Sequence, residues 1–330
     1  MTVARPAPRA PAPGTGAPPA SVVSARGLDV RYGDVRAVDG IDLEVRRGEV
    51  VGLIGPDGAG KTSTLRVVAG LRRPAAGDVT VLGMQAWRQR RALHHRLGYL
   101  AQRFALYGDL SVDENVQFFA LLYGVVGWRA RRDALLRRVG LLEFRGRLAD
   151  RLSGGMRQKL ALVCALMHSP EVLLLDEPTT GVDPVTRREF WRLLAELVAE
   201  GLTLVVATPY LDEAERCSRV VLIHAGRVVA DAPPAAIPGM FEGALIEVDA
   251  APRAAVTAAL AGMPGVLDVQ PFSARFHVRV ADAEGAADRL RAELTAAGLE
   301  VANIRRVQPG LEDAFLFLTR ARAERAGEAA

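Results

Sequence analysis

The run Gly55-Pro56-Asp57-Gly58-Ala59-Gly60-Lys61-Thr62 has the composition and spacing of a phosphate-binding loop. Glycines let backbone N–H groups close around phosphate oxygens. A compact ammonium on a flexible stem then reaches between the β- and γ-phosphates. The background composition sharpens this reading. Lys61 and Lys159 are the only lysines among 42 basic residues, and all the others are Arg. A planar guanidinium is the wrong shape for the phosphate slot, so a composition that drifts to Arg has spared Lys61. Lys159, at the end of Leu152-Ser153-Gly154-Gly155-Met156-Arg157-Gln158-Lys159, says less, because either base serves there.

A phosphate loop is half of a site; the other half needs a metal and a base. The Thr62 hydroxyl is the expected ligand for Mg²⁺, with Ser63 beside it. Asp176 ends the apolar run Val172-Leu173-Leu174-Leu175 and can hold the same ion. Glu177 follows immediately, where a carboxylate can polarise an attacking water.

These residues need elements to position them. Val50 to Ile54 is a short apolar run feeding the loop, as a buried parallel strand would. Thr62 to Leu71 continues with helical spacing of Leu65, Val68 and Ala69. Before them, Val22 to Val45 alternates apolar and polar between turn signals, as antiparallel strands do. Arg103 to Leu166 has a mostly helical pattern with Gly breaks. Within it, Ser111 and Glu114 have the spacing of a capping box. Val172–Leu175, Thr203–Ala207 and Val220–His224 read as buried strands, with a helix over Thr186–Glu200. The pattern is an α/β core whose strands deliver chemistry at their C-terminal ends. Pro233-Pro234 and Pro238-Gly239 mark a linker over 233–240. Beyond it, 241–321 has the order βαββαβ of a small α+β ferredoxin-like domain closed by a helix near Leu311–Thr319.

Composition narrows the classes. A chain of 330 residues, half apolar and 24% charged, is long enough for about two globular domains. The net charge of +4 is mild, and no aromatic residues interleave the Arg clusters, so no nucleic-acid partner is expected. Cys164 and Cys217 lie in separate apolar stretches and read as buried thiols. The five histidines form no metal-ligand cluster, so no zinc site is expected. Residues 1–21 are Pro/Ala-rich, lack the apolar core of a secretory signal, and read as a disordered tail; 322–330 reads as a second tail. No stretch approaches the roughly 20 apolar residues that span a bilayer. Spanning helices, if needed, must come from another chain.

Across about 22–232 the sequence resembles the nucleotide-binding subunit of ATP-binding cassette (ABC) transporters, of the multidrug and antibiotic exporter type. Gly55–Thr62 matches the Walker A loop and Leu152–Gln158 the signature loop, which other P-loop families lack. Val172–Glu177 matches Walker B with its catalytic glutamate, and Thr180-Gly181-Val182-Asp183 the D-loop. Gln102 matches the Q-loop, and Tyr32 stands where the family stacks an aromatic on adenine. The resemblance implies a RecA-like P-loop NTPase core with an antiparallel β-subdomain and a helical subdomain at about 103–165. ATP and Mg²⁺ are the implied cofactors. Gly55, Pro56, Asp57, Gly58, Ala59, Gly60, Lys61, Thr62, Ser63 and Tyr32 would bind nucleotide. Thr62, Gln102 and Asp176 would hold the metal, and Glu177, Gln102 and Lys61 would act in catalysis.

The signature residues Ser153, Gly154 and Gly155 imply a partner. A hydroxyl and backbone amides at a helix N-terminus form an anion site, and in the family that site takes the γ-phosphate held by the opposite subunit. The expected assembly is a cassette dimer, most simply a homodimer. It would sit on the cytoplasmic membrane face against a separate multi-helix permease, without touching the cargo. The Leu106–Asn115 run resembles the region that receives the permease in exporter-type cassettes. One motif departs from the family: Pro209, in Ala207-Thr208-Pro209-Tyr210, stands where the switch histidine belongs. Thr208 is expected to cap a helix with Pro209 in its first turn. Two alternatives stay open. One is a cassette ATPase not tied to transport. The other, motivated by Pro209, is an ATP-gated dimerisation module with weak hydrolysis.

Overall fold

The computed structural model describes residues 21–102 and 106–327. The tail expected over 1–21, apart from Ser21, lies outside them, as do residues 103–105 and 328–330.

Along the chain come β1 (Ser21–Tyr32), β2 (Val35–Arg46), β3 (Val50–Ile54), α1 (Lys61–Val68), β4 (Ala76–Val81), β5 (Met84–Gln85), α2 (Arg90–Leu93) and β6 (Leu97–Leu100). The helical stretch follows as α3 (Val112–Leu122), α4 (Trp128–Arg138) and α5 (Gly154–Leu166). Then come β7 (Val172–Asp176), α6 (Pro184–Ala199), β8 (Thr203–Thr208), α7 (Leu211–Ala214), β9 (Arg219–His224) and β10 (Arg227–Ala232). The last part holds β11 (Ala244–Ala251), α8 (Arg253–Ala261), β12 (Val266–Phe272), β13 (Arg275–Val280), α9 (Ala286–Ala296), β14 (Glu300–Val307) and α10 (Leu311–Gly327).

The central sheet has the order β10-β9-β3-β8-β7-β6. β9, β3, β8, β7 and β6 run parallel and β10 closes one edge antiparallel. Alternation along its strands builds two cores. Leu173, Leu175, Leu204 and Val206 face α5 and α6, while Val172, Leu174, Val205 and Ala207 face α1 and the antiparallel sheet β2-β1-β4-β5. Such continuous apolar runs belong to strands covered on both faces. Because the parallel strands share one direction, Gly55, Gln102, Asp176 and Pro209 all emerge at one edge, the place where open α/β sheets build sites. In the helical stretch, the Ser111 side chain accepts from the Glu114 amide at 3.2 Å while Glu114 accepts from the Ser111 amide at 2.8 Å. That is the expected capping box at the start of α3.

Three readings need correction. The segment expected as an open linker is a 3₁₀ helix, Pro234–Met240, with Ile237 fully buried. The C-terminal helix runs past Thr319 to Gly327. The strands β4, β5, β6 and β10 went unassigned from sequence. The terminal sheet β12-β13-β11-β14 is antiparallel throughout, with α8 and α9 covering one face around Phe276 and Val278. On the other face lies α10. Its Asp313 carboxylate pairs with His277 Nδ1 at 2.6 Å, while its Leu311 and Ala314 belong to the same core as Leu173 and Leu204 of the central sheet.

Cys164 and Cys217 are buried and unpaired. Burial pushes both thiols up, Cys217 to about 12. At pH 8 the thiolate fraction of Cys217 is then about a thousandfold below that of an ordinary cysteine. Iodoacetamide at pH 8 is expected to leave both thiols unmodified in the native chain and to label both in urea, as read by intact-mass spectrometry. Rapid native labelling would contradict their burial.

Candidate active site

β3 and α1 can be joined by so short a turn because glycine stands where no side chain fits. A Cβ on Gly55 would lie 2.1 Å from the Ile223 carbonyl oxygen at the end of β9, and Gly60 combines φ +104° with a Cβ position 2.5 Å from the Ala37 carbonyl. The loop thus wraps tightly and delivers the first turn of α1, whose amides have no preceding helical carbonyls to serve. These amides and the helix dipole favour an anion there. Lys61 is buried at the start of α1, and its Nζ donates to Gly55 O at 2.7 Å and Pro56 O at 2.8 Å. Burial pulls its pKa below the usual lysine value, opposed by the nearby charges of Glu177, Asp57 and Asp176. The ammonium is therefore held over its own loop, near the carboxylates at the end of β7.

Asp176 ends β7 almost fully buried, at 1% exposure. Thr62 Oγ1 donates to its Oδ1 at 2.8 Å, and Tyr99 Oη donates to its Oδ2 at 3.1 Å. Burial, then the Asp176 charge and hydrogen bond, drive the Tyr99 phenol well above its ordinary value, so it remains a donor. Among the described residues Asp176 has no salt-bridge partner. A buried carboxylate held by two neutral hydroxyls, one of them on the phosphate loop, is a hard oxygen donor set that suits Mg²⁺. Glu177 follows with φ +49°, uncommon for a residue with a side chain, and its amide donates to Ala207 O at 2.8 Å. Its Oε2 accepts from Gln102 Nε2 at 2.8 Å and from Thr180 Oγ1 at 3.3 Å. Gln102 thus meets the carboxylate expected to be the base.

Lys61, Thr62 and Glu177 border one cleft of about 410 Å³ that runs from Val35–Ala37 across Gly58–Ser63 to Glu177 and Gly226, with Asp176 buried behind Thr62. Tyr32, 37% exposed, accepts at its hydroxyl from Ser63 Oγ at 3.3 Å, and the Arg72 guanidinium lies over its ring, 3.7 Å from the centroid. Pro56 and Asp57 belong to the same loop.

The signature residues are built as a separate helix start. Ser153 caps α5, accepting from the Met156 amide at 3.3 Å. A Cβ on Gly155 would meet Thr186 Cγ2 at 2.4 Å, so α5 packs closely on the first turn of α6. Asp183 caps that turn, accepting from the Val185 and Thr186 amides at 3.0 Å each. Ser153, Gly154 and Gly155 are not among the described residues that line the phosphate-loop cleft. Lys159 pairs with Glu189 of α6 at 2.8 Å, a surface contact.

At Pro209 the local expectation fails. α7 begins at Leu211, after Tyr210. Thr208 Oγ1 accepts from the Tyr210 amide at 3.1 Å and closes a side-chain turn that leaves Pro209 outside the helix. The Tyr210 ring lies under Arg187, 4.5 Å from its Cζ. Sequence reasoning missed three contributors: Tyr99 on Asp176, Thr180 on Glu177 and Arg72 on Tyr32. None is marked by a sequence signal: Tyr99 reaches Asp176 because β6 pairs with β7 and sets it opposite Leu174, two residues before Asp176.

The ABC transporter family model matches residues 38–180. The chain is 38% identical over 309 residues to the daunorubicin resistance ATP-binding protein DrrA2 of Streptomyces coeruleorubidus, covering 92% of this chain and 96% of that one. It is 43% identical over 222 residues to the probable multidrug ABC transporter ATP-binding protein YbhF of Escherichia coli, covering 66% of this chain. The match spans only 38% of the length of YbhF. Among solved structures, the dimeric ATP-binding cassette MJ0796 bound to ADP and Pi in a post-hydrolysis state superposes with a TM-score of 0.59 at 26% identity, covering 64% of this chain and 98% of that one.

Replacing Tyr99 by Phe removes one of the two hydroxyls that orient Asp176. Divalent-cation affinity, measured with Mn²⁺ by electron paramagnetic resonance, is expected to fall about tenfold with the fold intact. Unchanged affinity would remove Tyr99 from the metal-side geometry.

Proposed function

We infer the role of this site from a plain premise: the chain belongs to the ABC transporter family, among its ATP-binding proteins. We propose that it binds and hydrolyses ATP as the energy-supplying subunit of an exporter, working through a separate membrane permease. The observation that carries this is the meeting of Lys61, Thr62, Asp176, Glu177 and Gln102 at one sheet edge.

The amides of the loop and of the first turn of α1 would receive the β- and γ-phosphates, with Lys61 supplying the compensating charge. Thr62 and Asp176 would hold Mg²⁺, which when bound neutralises charge on the transferring phosphoryl group. Glu177 would accept a proton from the attacking water, with the Gln102 amide keeping its carboxylate turned toward the cleft. Tyr32 would stack on the adenine, adding affinity without contributing to the chemistry.

The site needs a second chain. Ser153, Gly154 and Gly155 form an anion-ready helix start away from the cleft of their own chain, which supports a head-to-tail pairing in which each copy completes the other's site. We take the pairing to be a homodimer. Among the described residues no helix is long and apolar enough to cross a membrane. We take the chain to lie peripherally on the cytoplasmic membrane face, where the permease rather than this chain meets the cargo. The similarity to the daunorubicin resistance protein extends over the terminal α+β part, which supports the drug-export type of assembly.

Pro209 favours one second reading, an ATP-gated clamp with slow turnover. A proline side chain can neither donate nor accept a hydrogen bond, so one contact to the γ-phosphate is missing. Tyr210, stacked under Arg187, is already engaged elsewhere.

Two substitutions separate the readings. Glu177→Gln preserves the Gln102 contact geometry but removes the base. It is expected to abolish phosphate release and to accumulate an ATP-bound dimer on size-exclusion chromatography. Retained turnover would exclude Glu177 as the base. Pro209→His, assayed with the membrane protein that co-purifies with this chain, is expected to raise turnover about tenfold or more. A wild type that binds ATP and dimerises without measurable phosphate release would favour the clamp.

A further inference from the structure

Tyr32 closes β1 at the turn into β2, and its ring is held from both ends of α1. From the first turn, Ser63 donates to its hydroxyl. From beyond the last turn, Arg72 lays its guanidinium over one ring face, 3.7 Å from the centroid, and donates from the same group to the Arg31 carbonyl oxygen. Arg72 itself is set by a tight helix end, because the Leu71 and Arg72 amides both donate to Arg66 O, at 2.9 and 3.2 Å. The Nε of Arg72 is buried and takes no hydrogen-bond partner, so the group is placed by the stack and the carbonyl rather than by an ion pair.

The eight residues of α1 span about 12 Å. The phosphate cleft opens at the N-terminal end of that helix, whereas Arg72 approaches from the C-terminal end. Arg72 thus reaches one face of Tyr32 from the end of α1 away from the cleft and leaves the other face for a ligand. A planar, weakly hydrated guanidinium is well suited to such a stack. By drawing on the π density of one face it leaves the other poorer in electrons, and so a better partner for an electron-rich purine. It also immobilises the ring before any base arrives, which lowers the ordering cost of binding.

We propose that Arg72 is a nucleobase-positioning residue, backing Tyr32 so that its free face is held ready for the adenine of ATP. The proposal rests on the ATP-binding reading above and adds a residue to it. Among the described residues Arg72 has no hydrogen bond or ion pair to the phosphate loop, Asp176 or Glu177, so its effect is expected on the base alone.

The test is a double-substitution cycle on the full chain, with Arg72→Leu, Tyr32→Leu and both together. Each is titrated calorimetrically with Mg²⁺ and either ATP or tripolyphosphate, which lacks a base. Arg72→Leu is expected to weaken ATP binding about three- to tenfold and to leave tripolyphosphate binding unchanged. In the Tyr32→Leu background it should add little further loss, because the two side chains act as one unit. Arg72→Gln keeps a planar group; it should recover part of the loss and replaces the leucine variant if that fails to fold. The proposal is overturned if tripolyphosphate binding falls in parallel, if the loss is the same with and without the tyrosine ring, or if ATP binds as well or better without Arg72. That last result would mean the guanidinium occupies the base's own face. A wild type that binds tripolyphosphate but not ATP would likewise overturn it while leaving the phosphate loop intact. Binding of neither would remove the ATPase reading on which it stands.

Discussion

The close approach of Gly55 to the end of β9 is the constraint from which the rest of the site follows. At 2.1 Å from a Cβ position to the Ile223 carbonyl, no other residue fits without moving the sheet. The loop must therefore turn back on itself within a few residues, and α1 begins with its N-terminal amides at the sheet edge. Gly60, pressed against Ala37, extends the same constraint to β2. Three layers meet at this turn: the parallel sheet, the P-loop helix and the antiparallel sheet. Their meeting sets the distance between where phosphate would sit and where Tyr32 stands.

A second constraint acts on the neighbouring strands. β7 ends in two consecutive carboxylates that must face different partners. Regular strand geometry sends successive side chains to opposite faces, yet both are needed on the cleft side. The positive φ of Glu177 resolves this, anchored by its amide on Ala207 of β8. Strained backbone at such a place persists only where the surroundings over-determine it. Here Gln102 and Thr180 both donate to the carboxylate, and β8 holds the amide. The strain, the hydrogen bonds and the strand order are one arrangement.

The phosphate loop, the strands that feed it and the carboxylates were legible from sequence because local rules govern them. Glycine spacing, an apolar run and an adjacent acid pair each occupy fewer than ten residues. The capping box at Ser111 was legible for the same reason. What could not be read depends on residues far apart in the chain. Tyr99 matters because β6 pairs with β7, and Arg72 matters because the end of α1 folds onto the β1 turn. β4 was hidden because its first three residues are exposed, so it lacks the apolar run of a buried strand. Pro209 was misjudged in the opposite sense. Its neighbours permitted a helix start, but the Thr208 hydroxyl took the Tyr210 amide and delayed the helix.

The position of α10 bears on how the terminal α+β part relates to catalysis. An accessory domain on an open linker would move independently of the ATPase core. Here the 3₁₀ segment Pro234–Met240 is folded, with Ile237 in the same core as Leu311 and Ala314 of α10. The opposite side of that helix meets the terminal sheet through Asp313 on His277, Phe317 under Arg279, and Arg320 on Asp268. One helix is thus a wall of both units. The core it enters also contains Leu204 and Val206 of β8, the strand that ends at Thr208 and Pro209. α10 itself packs on Pro234–Met240 and on β10, the edge strand of the central sheet, so a shift of the terminal sheet that carries α10 is felt first at that edge. Close-packed interiors transmit strain, so the terminal part is mechanically joined to the central sheet through α10, although none of its described residues lines the cleft.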